Sequence, residues 1–186
     1  MTEQPGVPDL HTRRLTLRRL AEIDAPGLHA AYGDADAMRF WDSLPSRDLA
    51  ETAARIRQSL EVSPQWHAAY AVLQRQTGQF IGMVNYHARH VRDRRVAVGW
   101  ILARPWWRQG LAAEATAALL EHCFTALGTH RIEAHIEPAN TASLRLAGRL
   151  GFRHEGTMRD WLFVAGQPRD MLLYALLRPD WSAAHG

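Results

Sequence analysis

The apolar positions of the chain switch repeatedly between a spacing of two and a spacing near 3.6. Leu15-Thr16-Leu17-Arg18 alternates and predicts a first strand. Residues 21–32 are Ala-rich and predict a helix, made irregular by Pro26 and Gly27. Ser46 is placed to cap a second helix in which Leu49, Ala53, Ile56 and Leu60 share one face. Two apolar runs, 69–73 and 80–84, flank Gln76-Thr77-Gly78-Gln79 and predict a β-hairpin. Residues 95–102 continue as a strand. A helix over 110–127 follows, with Leu111, Ala115, Leu119 and Cys123 on its apolar face and Gly128 as its stop. Residues 131–137 return as a strand, and 140–150 form a short helix between the cap Asn140 and the terminator Gly151. Strands over 159–164 and 170–177 close the pattern, joined at Gly166-Gln167-Pro168. Residues 1–11 read as a loose arm and 182–186 as a frayed tail. The order is that of a mixed α+β fold with one strand–helix–strand crossover in its middle.

Composition narrows the class. At 186 residues one domain spanning 1–186 is expected. Such a chain buries roughly two-thirds of its unfolded surface and needs no metal or disulfide to fold. A single cysteine makes no internal disulfide, and Cys123 falls on an apolar helix face as a buried thiol. The apolar stretch 171–177 is too short for a bilayer, and Met1-Thr2-Glu3-Gln4-Pro5-Gly6 has no basic segment leading into an apolar run. A cytoplasmic location without a membrane partner is expected. Net charge is +3, and all 22 basic residues are arginine. They are scattered, and Asp93 breaks the densest group, Arg92, Arg94 and Arg95. Without a patch or a module signature, no specific nucleic-acid partner is predicted. Ten histidines include no His-Glu-x-x-His pattern, so no metal is expected. Seven tryptophans are spread along the chain, which favours packing over base stacking.

The chemically informative segment is 98–115. A strand runs into a loop with small residues at Gly110 and Ala112 and then directly into a helix. Small side chains let a ligand approach the backbone. The free N–H groups of a first helical turn point at that ligand, and the helix dipole favours negative charge there. This is a pyrophosphate cradle, with Arg104 and Arg108 placed to add charge at its rim.

Trp107-Arg108-Gln109-Gly110-Leu111-Ala112 resembles the acetyl-CoA loop of the GNAT N-acetyltransferases, and the following Glu114-Ala115 is similar to their RimJ/RimL-type branch. Arg131-Ile132-Glu133-Ala134, Asn140-x-x-Ser143 and Leu150-Gly151-Phe152 resemble that branch in order and spacing. So do Thr12-x-x-Leu15-x-Leu17-Arg18, Arg39-Phe40-Trp41, Glu155-Gly156-x-x-Arg159, Asp170 and Tyr174. The resemblance covers roughly 12–181. It implies a mostly antiparallel twisted sheet, flanked by helices on both faces and splayed between the fourth and fifth predicted strands, 95–102 and 131–137. Acetyl-CoA would lie in the opening. Its pantetheine arm would pair with Trp100, Ile101 and Leu102, and its pyrophosphate would sit on the amides of 108–112, next to Trp107. Asn140 and Ser143 would line the thioester end. On the acceptor side Trp41, Asn85, Tyr86 and His87 are candidates, with His135 and Asp160 as weaker candidates for proton relay.

The implied reaction is direct attack of a neutral amine on the thioester in a ternary complex. The developing oxyanion needs donors, supplied most economically by backbone N–H groups near 98–100. Two familiar residues of the family are missing. A strand-four glutamate is replaced by Ala97, and a tyrosine general acid by Ala147. Ser143 is left as the candidate to protonate the leaving thiolate, and no general base is evident. An α-amine, with a pKa near ~8, is roughly a tenth neutral at pH 7, whereas a lysine or polyamine amine near ~10 is about one part in a thousand neutral. A protein N-terminus, as on a ribosomal protein, is therefore the expected acceptor. A small-molecule amine (amino acid, aminoglycoside or polyamine) and a non-catalytic acyl-CoA-binding module are the alternatives. The protein is expected as monomer or homodimer.

Overall fold

The computed structural model describes residues 7–185. In chain order it contains β1 (Leu10–His11), β2 (Leu15–Arg19), α1 (Ala25–Tyr32), α2 (Ala35–Met38), α3 (Leu49–Glu61), β3 (Ala68–Gln74), β4 (Phe80–His90) and β5 (Arg95–Leu102). There follow α4 (Leu111–Thr125), β6 (Arg131–Ile136), α5 (Thr141–Arg149), β7 (Arg153–Val164), β8 (Gln167–Leu177) and α6 (Arg178–His185). The strands form one sheet in the order β1-β2-β3-β4-β5-β6-β8-β7. Every neighbouring pair is antiparallel except β5 and β6, which the α4 crossover makes parallel.

That parallel pair is short. It is joined at Arg95↔Arg131, Val96↔Ile132 and Ala97↔Glu133. Beyond this point β5 keeps β4 as far as Leu102↔Gly82, and β6 keeps β8 as far as Ile136↔Leu172. The two strands therefore part after Ala97 and Glu133, and a gap opens in the sheet. This is the splay expected between 95–102 and 131–137; the small strand β1 moves these strands to fifth and sixth place.

Alternation along the strands sends side chains to two separate cores. On one face Tyr70, Val84, Tyr86, Val96 and Val98 pack with Leu111, Ala115, Leu119 and Cys123 of α4, Ala147 of α5 and Trp181 of α6. On the other, Ala69, Ala71, Met83 and Ile101 pack with Leu28 and Tyr32 of α1, Met38 of α2 and Ile56 of α3. The Cys123 thiol is buried, and the loss of solvent pushes its pKa up to about 12.

Four expectations from the sequence need correcting. The predicted arm 1–11 includes the strand β1, because Leu10 and His11 pair with Leu17 and Thr16; residues 1–6 lie outside those described. The predicted tail falls largely in helix α6, anchored by the buried Trp181. Helix α3 is capped by Asp48, whose carboxylate accepts from the Glu51 N–H at 2.8 Å, and not by Ser46, which is buried two residues upstream. The last hairpin turns at Ala165 and Gly166, both at positive φ (50° and 75°), while Pro168 lies within β8 opposite Phe163. Paired positive φ is the type I′ geometry that matches strand twist.

Candidate functional site

At the end of β5 the chain makes a tight loop before α4. Arg108 and Gly110 both adopt positive φ (61° and 74°), and Gly110 is the N-cap of α4. No side chain caps this helix, and a cap that offers none leaves the first-turn N–H groups facing outward. The loop is held from within and from afar. Gln109 donates to the Pro105 carbonyl at 2.9 Å, and Trp107 Nε1 donates to the Leu102 carbonyl at 2.8 Å. Arg14, from the segment before β2, donates from Nη1 to the Gln109 carbonyl at 3.0 Å. A Cβ built on Gly110 would lie 3.5 Å from Arg14 Nη2.

Arg14 and Thr12 also fix Glu114 in the first turn of α4. Its carboxylate accepts from Thr12 Oγ1 at 2.6 Å, from the Arg14 N–H at 2.8 Å and from Arg14 Nε at 2.5 Å. Burial raises the pKa of this carboxyl, but those hydrogen bonds outweigh burial and leave it below the usual range. Arg14, which sequence reasoning does not single out, is the residue that ties the start of α4 to the segment before β2. Arg104, expected at the rim, is instead ion-paired at the start of α2: its guanidinium lies 2.7 Å from Asp36 and 3.5 Å from the N-cap Asp34.

Along the gap the backbone of β5 is exposed in part. The Ala103 N–H donates to Ile81 of β4. Alternation then turns the polar backbone groups of Gly99 and Ile101 towards β4 and those of Val98, Trp100 and Leu102 towards the gap. The Leu102 carbonyl is already engaged by Trp107, and the Ile101 side chain is buried in the α1/α3 core. Across the gap, Asn140 caps α5 by accepting from the Ser143 N–H at 3.1 Å. Ser143 Oγ accepts from Trp100 Nε1 at 3.1 Å. Asn140, Ser143 and Trp100 thus meet on the α4 side of the sheet.

The opposite side of the gap is assembled from distant elements. Trp41, beyond α2, stacks obliquely near Tyr32 at 6.1 Å, and its ring tip lies 3.7 Å from a Cβ built on Gly99. Asn85 faces Gly99 in register, and a Cβ at Gly99 would meet Asn85 Oδ1 at 2.6 Å, so a side chain there would displace the Asn85 amide. Asn85 Oδ1 and His87 Nδ1 are both buried, with no hydrogen-bond partner among the described residues. Burial, reinforced by the charges of His67 and His135, lowers the His87 pKa to about 4. Tyr86 does not belong to this group. It sits between Asn85 and His87 on an alternating strand, so its ring enters the α4 core and its hydroxyl donates to the Pro64 carbonyl at 2.6 Å.

Next to Asn85 a cavity of about 220 Å³ opens among Tyr32, Trp41, Asp42, Arg55, Ser59 and His67. Past the gap, His135 lies 3.5 Å from Glu133 and packs edge-on against Trp161. Asp160, by contrast, is exposed on β7, where its N–H binds Asp170. Ala97 and Ala147, at the positions of the two missing polar residues, are fully packed. Among the described residues no cluster of metal-ligating side chains occurs, and no helix is long and apolar enough to cross a membrane.

Residues 14–153 match the acetyltransferase (GNAT) domain family. The chain is 30% identical over 174 residues to the uncharacterized N-acetyltransferase p20 of Bacillus licheniformis, covering 93% of this chain and 98% of that one. It is 32% identical over 182 residues to the [ribosomal protein uS5]-alanine N-acetyltransferase of Escherichia coli, covering 93% and 92%. Its fold is similar to spermidine N-acetyltransferase from Vibrio cholerae, crystallised with CoA and spermine, at a TM-score of 0.80 and 22% identity over 92% of this chain and 99% of that one.

Proposed function

The chain belongs to the GNAT family of acetyltransferases, and from that premise we propose that its acceptor is an α-amine, the N-terminus of a protein. It is an N-acetyltransferase with acetyl-CoA as donor, which supplies an activated acyl carbon and a thiolate leaving group. The residues present fit that donor. Gly110 clears a path to backbone N–H groups that no side chain caps, and the β5 edge is open from Val98 onward. In this reading the amides of Arg108 to Ala112 hold the diphosphate, and Arg14 adds the charge that Arg104 does not. Trp100 and Leu102 offer backbone groups to the pantetheine arm, while Ile101 serves as packing. Asn140 positions Ser143 through its N–H, and the Ser143 hydroxyl, which accepts from Trp100, is free to donate towards the leaving sulfur.

Trp41, Asn85 and His87 form the acceptor side. One observation carries the choice of acceptor: among the described residues the adjoining cavity is lined by one carboxylate, Asp42, and by the cation Arg55, itself paired with Glu51. A polycation needs several anions to replace its water, whereas one ammonium with a short side chain needs one. The Escherichia coli relative, a [ribosomal protein uS5]-alanine N-acetyltransferase, points the same way.

The test is CoA-thiol release at pH 7 with Ala-terminated peptides, free amino acids and spermidine. The expected result is a kcat/KM for the peptide at least about tenfold above that for spermidine, following the fraction of neutral amine. Preference for spermidine overturns the α-amine reading. Tight CoA binding with no thiol released across the panel would mark a binding module.

A further inference from the structure

The base that the fourth-strand position lacks has a neighbour in space. Ala97 pairs directly with Glu133, and this is the last β5–β6 pair before the strands part. In β6, Ile132, Ala134 and Ile136 enter the α4 core, so Glu133 and His135 face the acceptor side. Continuing the parallel register by two residues sets His135 level with Gly99 across the gap.

We propose that His135 is the general base that takes a proton from the acceptor ammonium, with Glu133 as its positioning residue. This rests on the acetyl-transfer reading above. His135 Nε2 lies 3.5 Å from Glu133 Oε2, which favours a proton on Nε2 and leaves Nδ1 to accept. The ring is held edge-on by Trp161, with centroids 5.3 Å apart, and its side chain keeps 21% exposure, a route for the proton to solvent. The groups around it have defined charge. Glu133 also accepts from Arg131 Nε at 2.7 Å, and Arg131 reaches on to Glu155. The hydrogen bond from His135, and then that from Arg131, hold Glu133 at about 2 despite its burial, so it stays an anion and is no base itself. From β4 comes His87, buried and neutral, with His67 beside it; Trp161 and the register partner Leu173 carry no charge.

The acceptor ammonium gives one proton to His135 Nδ1. Its nitrogen lone pair forms the C–N bond, and the C–S bond breaks with its electron pair on sulfur. The second nitrogen proton ends on the CoA sulfur, and His135 returns the first to water.

The test uses whichever amine the wild-type protein turns over fastest, so a polyamine preference would sink the α-amine reading and leave this one measurable. His135→Gln should lower kcat/KM at pH 7 about a hundredfold. KM for acetyl-CoA should stay within twofold, and the deficit should shrink as pH rises and free amine accumulates. Glu133→Gln, which leaves the imidazole in place, should move the acid limb of kcat/KM to lower pH and lower its plateau. A His135→Gln loss below about threefold, or one equal at every pH, overturns the proposal, as does an unmoved acid limb in Glu133→Gln.

Discussion

The two sides of the gap are built by different means. The donor side is mostly backbone. A positive-φ loop, a helix end without a side-chain cap and the open edge of one strand all lie within residues 98–112, and only Arg14, Asn140 and Ser143 are added from elsewhere. The acceptor side is mostly side chains. Trp41, Asn85, His87, His135 and Trp161 come from four separate segments, with Asn85 and His87 sharing β4, and meet only because the sheet order brings them together. A diphosphate is common to every reaction of such an enzyme, and backbone amides recognise it without regard to sequence elsewhere. The acceptor differs between enzymes, and loops and strand faces can change its site without touching the cradle.

The sharpest way to break this division is Gly110→Val. Gly110 sits at φ +74°, and a β-branched residue there is strained as well as bulky, with its Cβ aimed at Arg14. Affinity for CoA, measured by calorimetry, should fall about a hundredfold or more, close to the ~3 kcal/mol that such backbone strain and a lost anion contact together represent. Acceptor KM, extrapolated to saturating donor, should hold within about threefold. Unchanged CoA affinity would remove the cradle; equal damage to both substrates would remove the division.

The acceptor side should announce itself in the pH dependence of stability. His87 is neutral in the fold because burial, helped by the charges of His67 and His135, depresses its pKa to about 4. Unfolded, it titrates near ~6.5. Between these values the unfolded chain binds a proton that the folded chain refuses, so stability falls as pH drops below about 6.5 and levels off only below about 4. From pH 7.5 to 5.0 this one group should cost about 2 kcal/mol by linkage. His67, lowered by burial, acts in the same direction. His87→Leu should keep full stability at pH 7.5 and recover that share of the loss at pH 5.0 in urea titrations. A variant that loses as much as wild type would show that His87 is hydrated rather than sealed beside the gap.

The same contrast explains what was legible in the sequence. Helix α4, its Gly110 start and its Gly128 stop are local statements, and periodicity with two glycines states them. The strand 95–102 is found at its true limits because both its faces are buried and its apolar run is unbroken. Arg14 is not legible. Nothing local marks one arginine among 22 as the one that reaches a loop 95 positions away. Tyr86 departs from expectation for the converse reason: the stretch 85–87 lies on one strand, where neighbours face opposite ways, and Tyr86 enters the α4 core. Ser46 and Asp48 are both good caps by type, and only the geometry of the incoming chain decides between them.

Ser143 stands where the two sides meet, and its replacement should have the smallest effect. Ser143→Ala keeps the N–H that Asn140 caps, so α5 should be undisturbed, while Trp100 Nε1 loses its partner. A thiol of parent pKa near ~8.5 leaves readily as thiolate, so the proton donated by Ser143 is worth little near neutrality. The expected result is a fall in kcat of about fivefold at pH 7, at the weak end of general acid effects, with both KM values held. The deficit should vanish above pH ~8.5, where thiolate no longer needs a proton. A loss of several hundredfold would place Ser143 on the reacting carbonyl itself and draw the boundary between donor and acceptor sides through its hydroxyl. No loss at any pH would leave protonation of the sulfur to water and reduce Ser143 to the partner of Trp100.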